Sequence, residues 1–468
     1  MKKNIPVQKN KIYSLQIHGL GHRGEGIGKI DGFTIFVEGA IPGDEIKTKI
    51  IKVKNNYAIG RLEKVIAPST DRISPPCPIA EKCGGCQIQQ IDYQKQLEYK
   101  TQLVKDNIER IGKIKDIIIH PTIGMKDPWN YRNKAQFPIG EEGGAVLGFY
   151  ASKSHKIIST DQCLIQHPIN DKIIKIVKEF INGFGISIYN EEQYEGLLRH
   201  VVTKVGFTTG EIMVVLVING ESLLHSEKLV NRLKESIPNI SSVYLNINKK
   251  RGNVILGKDN RLLYGKEYIV DYIGDIRFEI SPLSFFQINP VQTKVLYEKA
   301  LEYANLEGNE IVYDAYCGIG TISLFLAKKA KKVIGVEIVE QAIEDAKRNA
   351  KINNIENVEF YAGKAEEIIP KLYRQGDQAD VIVVDPPRKG CDEKLLDIII
   401  QMKPQHMVYV SCNPSTLARD LNYLEKGGFK AVEVQPVDMF PHTMHVETVC
   451  LMSRKQSLKS LENTGFIK

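Results

Sequence analysis

The sequence predicts a multidomain α/β protein: a small N-terminal OB-like β-barrel, a central α+β region with a four-cysteine cluster, and a C-terminal Rossmann-like, doubly wound parallel sheet. Three observations predict it. The last third alternates short apolar runs with helical patterns. A Gly-x-Gly turn separates the first of those strands from its helix. The first sixty-odd residues hold only short strand-like pieces broken by Gly and Pro. At 468 residues and 43% apolar content the chain exceeds a usual single domain and has material for several cores.

In residues 1–66, Phe33 to Val37 and Glu45 to Val53 read as strands between turns, the pattern of a small closed barrel. This region has twelve Lys and Arg against six Asp and Glu, a formal +6 of the chain's +7, so it can bind a phosphate backbone. Lysines alternating with isoleucines are also ordinary amphipathic patterning. Residues 67–280 hold Cys77, Cys83 and Cys86, with Cys163 downstream, and strand candidates at Glu211 to Ile218 and Ser242 to Asn248. Tyr131 to Phe137 interleaves aromatic and basic residues, as an RNA contact does, although a half-buried strand has the same alternation. Four thiolates can hold tetrahedral zinc or an iron–sulfur cluster, and the Cys-x5-Cys-x2-Cys spacing leaves both open.

In residues 281–455, Asn289-Pro290 starts a helix. Ile311 to Ala315 is a strand feeding the turn at Gly318 and Gly320, where backbone can approach a nucleotide-like ligand. Lys332 to Glu337 is a second strand, ending in a carboxylate placed to accept from ribose hydroxyls. A crossover helix over Gln341 to Asn353, a third strand at Val358 to Gly363 and a fourth at Asp380 to Asp385 follow. Asp385-Pro-Pro-Arg388 then forms a stiff loop beside the expected crevice. Val408 to Val410 is a buried strand and Asn413-Pro414 a helix start, so Cys412 stands at a strand's carboxyl end and a helix's amino end. That position favours a lowered thiol pKa and a nucleophile, against the alternative of a packed, inert cysteine. Residues 456–468 read as a poorly ordered tail.

Asp314-Ala-Tyr-Cys-Gly-Ile-Gly320, Asp385-Pro-Pro-Arg-Lys-Gly390, Ser411-Cys-Asn-Pro-Ser-Thr-Leu-Ala-Arg-Asp420, Pro441-His-Thr-Met-His-Val-Glu447 and the upstream Ser284-Phe-Phe-Gln-Ile-Asn289 together resemble the S-adenosylmethionine-dependent RNA uracil-5-methyltransferases. The resemblance implies Cys412 as the nucleophile that adds to uracil C6, Glu447 as the general base, and Gln287, Tyr316, Glu337 and Asp385 as contacts to S-adenosylmethionine. On residue chemistry alone His442 and His445 rival Glu447. Ile27 to Gly32 through Tyr57 to Arg61 resembles the family's RNA-binding TRAM module. The four cysteines resemble its [4Fe-4S] ligands. Barrel and cysteines together imply the 23S ribosomal RNA branch, with the transfer-RNA T-loop as the alternative substrate and a flipped-out uridine as target.

Rival classes read differently. An RNA cytosine-5-methyltransferase places Pro-Cys after the fourth strand, where this chain has Asp385-Pro-Pro-Arg; an exocyclic-amine methyltransferase has no need of Cys412. A non-catalytic iron–sulfur RNA-binding protein leaves the filled nucleophile, base and cofactor positions unexplained. The first ten residues lack an apolar signal core and no apolar run is long enough to span a bilayer. A reducing, cytoplasmic setting without disulfides is expected, and no obligate protein partner.

Overall fold

A computed structural model describes residues 5–454; the expected tail lies outside the described residues. Strands Ile12–Leu20, Gly26–Ile30, Phe33–Glu38, Glu45–Val53 and Tyr57–Ala67 form a closed barrel in which the first strand pairs with both the second and the fourth. Period-two alternation puts Leu15, Ile17, Ile35, Val37, Ile46 and Ile50 inside. Gly60 faces inward against Thr48, where a Cβ would collide with the threonine hydroxyl. Below the barrel, the fully buried Asp44 accepts from the amides of Ile41 and Ser69 and from the Arg72 guanidinium. Burial pushes its pKa up, but these donors outweigh that and hold the carboxyl below its usual range. The barrel is thereby tied to the chain that leads out of it.

A seven-stranded sheet comes next, in the order Asp259–Gly265, Ile240–Ile247, Ile212–Ile218, Leu198–Val205, Lys134–Glu141, Ala145–Tyr150, Ile157–Ser159. Every residue of Ile212–Ile218 is buried, because both faces are covered. Val214, Leu216 and Ile218 pack under helices Ile169–Phe184 and Ser226–Ser236. Met213, Val215 and Val217 join the core of the C-terminal sheet. Tyr131 and Phe137 are likewise buried, Phe137 within strand Lys134–Glu141 and Tyr131 just ahead of it, so the aromatic residues of this stretch pack inward.

The C-terminal sheet has eight strands in the order Val358–Ala362, Lys332–Glu337, Ile311–Ala315, Val381–Val384, His406–Ser411, Glu447–Arg454, Phe429–Val437, Ile118–Ile119. The first five run parallel, and Glu447–Arg454 inserts antiparallel to both its neighbours. Residues alternate between two cores: Val381, Val383, Val408 and Val410 on one face, Ile382, Val384, Met407 and Tyr409 on the other. The chain leaves Ile311–Ala315 in one direction for two strands and then returns to its other side at Val381–Val384. This reversal opens a crevice between the carboxyl ends of Ile311–Ala315 and Val381–Val384.

Residues far upstream complete this sheet. Ile118–Ile119 pairs with Phe429–Val437 as its edge strand, and helix Tyr93–Asn107, continued by a wider turn over Ile108–Gly112, packs against helix Pro414–Lys426. From that helix the buried Lys100 forms an ion pair with the equally buried Asp438 and donates to the Phe440 carbonyl (3.1 Å). Tyr93 donates to the other Asp438 oxygen (3.0 Å). Gln96 holds His442 from both sides, accepting from its amide (3.0 Å) and meeting its Nδ1 (3.2 Å). No helix among the described residues is long and apolar enough to cross a membrane.

Because removing one member of a buried pair strands the other charge, Lys100→Met should lower the unfolding free energy by about 3 kcal/mol in urea titrations. Lys100→Met combined with Asp438→Leu should recover at least half of that loss.

Candidate active site

A cleft of about 1170 Å³ occupies the crevice. Its walls include all four residues expected to touch a nucleotide-like ligand, Gln287, Tyr316, Glu337 and Asp385, together with Cys412 and Glu447. The turn at its floor holds positive φ at Tyr316 (71°), Gly318 (56°) and Gly320 (80°). At Gly318 no atom lies within 4 Å of where a Cβ would sit, so the backbone faces open space there. Glu337 accepts from the amides of Gly318 (3.3 Å) and Val339 (3.0 Å), which fixes the carboxylate on the rim. Beneath the turn, Asp314 is fully buried, accepts from Ser323 through one oxygen and leaves the other unpartnered. Burial, opposed by Ser323 and reinforced by Asp385 and Glu337, pushes it up to about 7. Six carboxyl residues, Glu337, Asp345, Glu366, Asp385, Asp392 and Glu447, line the cleft against four cations, Lys258, Lys364, Arg388 and Lys389.

Antiparallel register assembles the reactive end. Ser411 pairs with Thr448, and the Thr448 hydroxyl donates to the Ser411 carbonyl (3.1 Å). One step beyond that last pair, Cys412 stands opposite Glu447. Asn413 caps helix Pro414–Lys426, accepting from the Ser415 amide, with Pro414 in its first turn. The same helix start clasps the loop after Asp385: Asn413 and Thr416 donate to the Arg388 carbonyl (2.9 and 3.3 Å), and Arg419 to that of Lys389 (2.9 Å). Asp420 accepts from the Cys391 amide (2.9 Å) and the Tyr409 hydroxyl (2.6 Å). Arg388 is thereby kept beside the thiol.

The expected lowering of the Cys412 pKa is overturned. Burial, then the charges of Glu447 and Asp385, push the thiol up to about 11, and Arg388 only partly opposes them. A helix end worth a fraction of a charge does not outweigh two nearby carboxylates and desolvation. Glu447, 5% exposed, is pushed up to about 8 by burial and Asp385, again with Arg388 opposing.

Of the rival bases, His442 is outside the cleft, stacked on Trp129 at 3.8 Å between ring centroids, and burial and Lys100 lower it to about 3. His445 does line the cleft but is held near 4 by burial and by Arg388, Lys100 and Arg132. Only Glu447 has an affinity for protons suited to a base at neutral pH.

Two positioning residues carry no motif. The limb Ser281–Asn289, which carries Gln287 and the exposed Phe285 into the cleft, is strapped from the seven-stranded sheet. Buried Lys204 donates to the carbonyls of Ser281 (2.7 Å) and Ser284 (2.8 Å), and Asn133 to that of Gln287 (2.8 Å). On the other side the Ser284 hydroxyl donates to Asp345 (2.8 Å). A buried lysine between apolar strand residues was the available signal.

The four upstream cysteines converge. Burial first, then the charges of Cys163, Cys83 and Cys77, push Cys86 up to about 12. Burial, with the charges of Cys83 and Cys77, lifts Cys163 to about 11. Donors point at the sulfurs: the Gly85 amide at Cys83 (3.4 Å), the Gln89 side chain at Cys86, and the amides of Ile165 and Gln166 at Cys163. All four are free thiols. Among the described residues, however, no group of three or more His, Cys, Asp or Glu is arranged as a ready ligand set for a metal ion.

Comparisons with known proteins agree with this geometry. Residues 92–455 match the family model described as tRNA (Uracil-5-)-methyltransferase, and residues 6–62 match the TRAM domain. An uncharacterized RNA methyltransferase of Clostridium tetani is 56% identical over 454 residues, covering 97% of this chain and 98% of its own. Another, from Halalkalibacterium halodurans, is 55% identical over 455 residues, covering 97% and 99%. Among solved structures, the Pyrococcus abyssi tRNA (uracil-54, C5)-methyltransferase in complex with S-adenosyl-L-homocysteine is 30% identical. Its TM-score is 0.76, with 94% of this chain and 100% of that one covered.

Two titrations follow. Arg388→Met should move the alkaline onset of Cys412 alkylation by iodoacetamide above about pH 11, and Asp385→Asn should move it down, followed by peptide mass spectrometry. A buried carboxyl raised from 4.5 to about 8 binds its proton more tightly folded than unfolded, so it costs stability as pH rises between those values. Glu447→Gln should therefore melt with wild type at pH 4 and above it at pH 8.

Proposed function

The chain belongs to the tRNA (uracil-5-)-methyltransferase family and carries a TRAM domain; from that membership we propose that it methylates C5 of a uridine in RNA, and from the basic barrel taken with the four cysteines that the RNA is 23S ribosomal. S-adenosylmethionine, when bound, supplies an electrophilic methyl group on a sulfonium. Glu337, held at the glycine turn by the Gly318 amide, and Gln287, Tyr316 and Asp385 in the same lining would hold that ligand.

The observation that carries the reading is that Cys412 and Glu447 line the same cleft, close enough for the Glu447 charge to raise the thiol. C5 of uracil is a weak nucleophile. The Cys412 thiolate adds to C6, forming a carbon–sulfur bond and moving the ring electrons onto the C4 oxygen as an enolate. C5 of the enolate then takes the methyl group as the sulfonium–methyl bond breaks, which restores the C4 carbonyl and leaves S-adenosylhomocysteine. Glu447 removes the C5 proton, the enolate re-forms and expels the Cys412 thiolate from C6, and 5-methyluridine is released. Burial and the two carboxylates hold the thiol near 11, so the thiolate is scarce in the free protein and Arg388 is the one charge that favours it.

Cys77, Cys83, Cys86 and Cys163 hold a [4Fe-4S] cluster in this reading, which the all-thiol donor set and the N–H groups aimed at three of the sulfurs support. Its contribution is to join residues 77–86 to 163, and no catalytic step passes through it. The cytoplasm is the compartment this chemistry suits.

Transfer RNA is the second reading, since the similar Pyrococcus abyssi enzyme is named for uracil-54 of tRNA. Mass spectrometry of nucleosides from 23S ribosomal RNA and transfer RNA, with and without the protein, separates the two. Loss of 5-methyluridine only from 23S RNA, unrescued by Cys412→Ala, is expected; loss from transfer RNA selects the alternative. Glu447→Gln should arrest after methyl transfer and accumulate a ribonuclease-sensitive protein–RNA adduct on denaturing gels, whereas Cys412→Ala should form none.

A further inference from the structure

Positive charge is unevenly placed. The first 66 residues carry +6, and a second block, Lys249 to Arg261, carries Lys249, Lys250, Arg251, Lys258 and Arg261 against Asp259, a net +4 in thirteen residues. The rest of the chain is net −3. The second block belongs to the open edge of the seven-stranded sheet: a loop followed by edge strand Asp259–Gly265. Lysines on an edge strand commonly serve to block pairing with other chains. Lys249, Lys250, Arg251 and Lys258 precede that strand and need another explanation.

Two structural facts supply one. The loop is rigid without regular structure. Buried Arg199 donates to the carbonyls of Asn248 (2.6 Å) and Lys250 (2.9 Å). Asn248 donates to Val254 (2.6 Å) and Ile255 (2.9 Å), and Asn246 both donates to and accepts from Gly257. Arg251 rests on the Tyr194 ring at 4.2 Å. The loop is also continuous with the site, because Lys258 lines the catalytic cleft beside Leu283 and Phe285. Lys249 is partly spent on Glu221, whereas Lys250, Arg251 and Lys258 are exposed cations in no ion pair among the described residues.

We propose that Lys250, Arg251 and Lys258 form a second phosphate-backbone contact, separate from the barrel, that holds the RNA strand adjoining the target nucleotide as it leaves the cleft. The inference rests on the methyltransferase reading for the identity of the polyanion as RNA. A prearranged row of cations costs little ordering entropy on binding and adds to affinity without reading sequence.

The test is a triple variant, Lys250→Gln/Arg251→Gln/Lys258→Gln, in the full chain, with Lys172→Gln/Lys175→Gln on the distant exposed face of helix Ile169–Phe184 as a charge control. Binding of 23S ribosomal RNA and of unfractionated transfer RNA is measured across salt, with S-adenosylhomocysteine affinity and thermal melting alongside. The triple should weaken RNA binding at least tenfold at low salt and flatten the log K against log salt slope by about two to three, near one per phosphate contact. Melting should stay at its wild-type value, and the double variant Lys250→Gln/Arg251→Gln, which leaves the cleft lining intact, should keep wild-type S-adenosylhomocysteine affinity. RNA affinity and slope unchanged in the triple, or weakened equally in the control, would overturn the proposal. Wild-type protein that binds RNA but methylates none would refute the proposed reaction, leaving the binding comparison to judge the surface by itself.

Discussion

The register between His406–Ser411 and Glu447–Arg454 is the constraint on which the site depends. Adding an antiparallel strand to a parallel sheet brings two distant stretches of chain nose to tail, and their last paired residues decide what faces what beyond them. A slip of one residue would turn every side chain of the final strand to the opposite core and carry Glu447 away from Cys412. Complete burial of that strand on both faces makes such a slip costly, so core packing on either side of the sheet enforces the geometry of two reactive groups at its end.

The electrostatics of the cleft have the same origin. A carboxyl-rich crevice is expensive to build from ionised groups alone, and burial relieves the expense by leaving Glu447 and Asp314 substantially protonated near neutrality. The arrangement that weakens Cys412 as a resting thiolate also gives Glu447 a proton affinity close to neutrality. Arg388 stands between the two effects, and the clasp from helix Pro414–Lys426 is what keeps it there.

Legibility in the sequence followed the range of the interactions. The five strand ends of the parallel sheet, the glycine turn, the caps at Asn289 and Asn413 and the positions of Glu337, Asp385 and Cys412 were readable, because each rests on local pattern or on the rule that places sites at a topological switch; Gln287, Tyr316 and Glu447, which line the same cleft, were named through the family resemblance. The seven-stranded sheet was not readable as a fold, since two of its central strands are buried on both faces and so lose the alternation that marks a strand. A lysine among apolar strand residues marked Lys204 as unusual, but what it and Asn133 hold could not be read, because their partners are backbone carbonyls about 80 and 154 residues away. The direction of the Cys412 shift failed for a similar reason: the helix end is local, whereas the carboxylates that outweigh it arrive from other strands.

The pairing of Lys100 with Asp438 and of Gln96 with His442 spans 338 and 346 residues of chain. During synthesis the helix Tyr93–Asn107 therefore emerges long before the groups that neutralise and cover it, and the edge strand Ile118–Ile119 before the sheet it borders. Loop closure over such distances is slow, and until the last strands arrive the catalytic half has an open edge while its helix carries an uncompensated lysine on a face made for burial. The same long-range bonds that hold the finished site make it one of the last parts of the molecule to form.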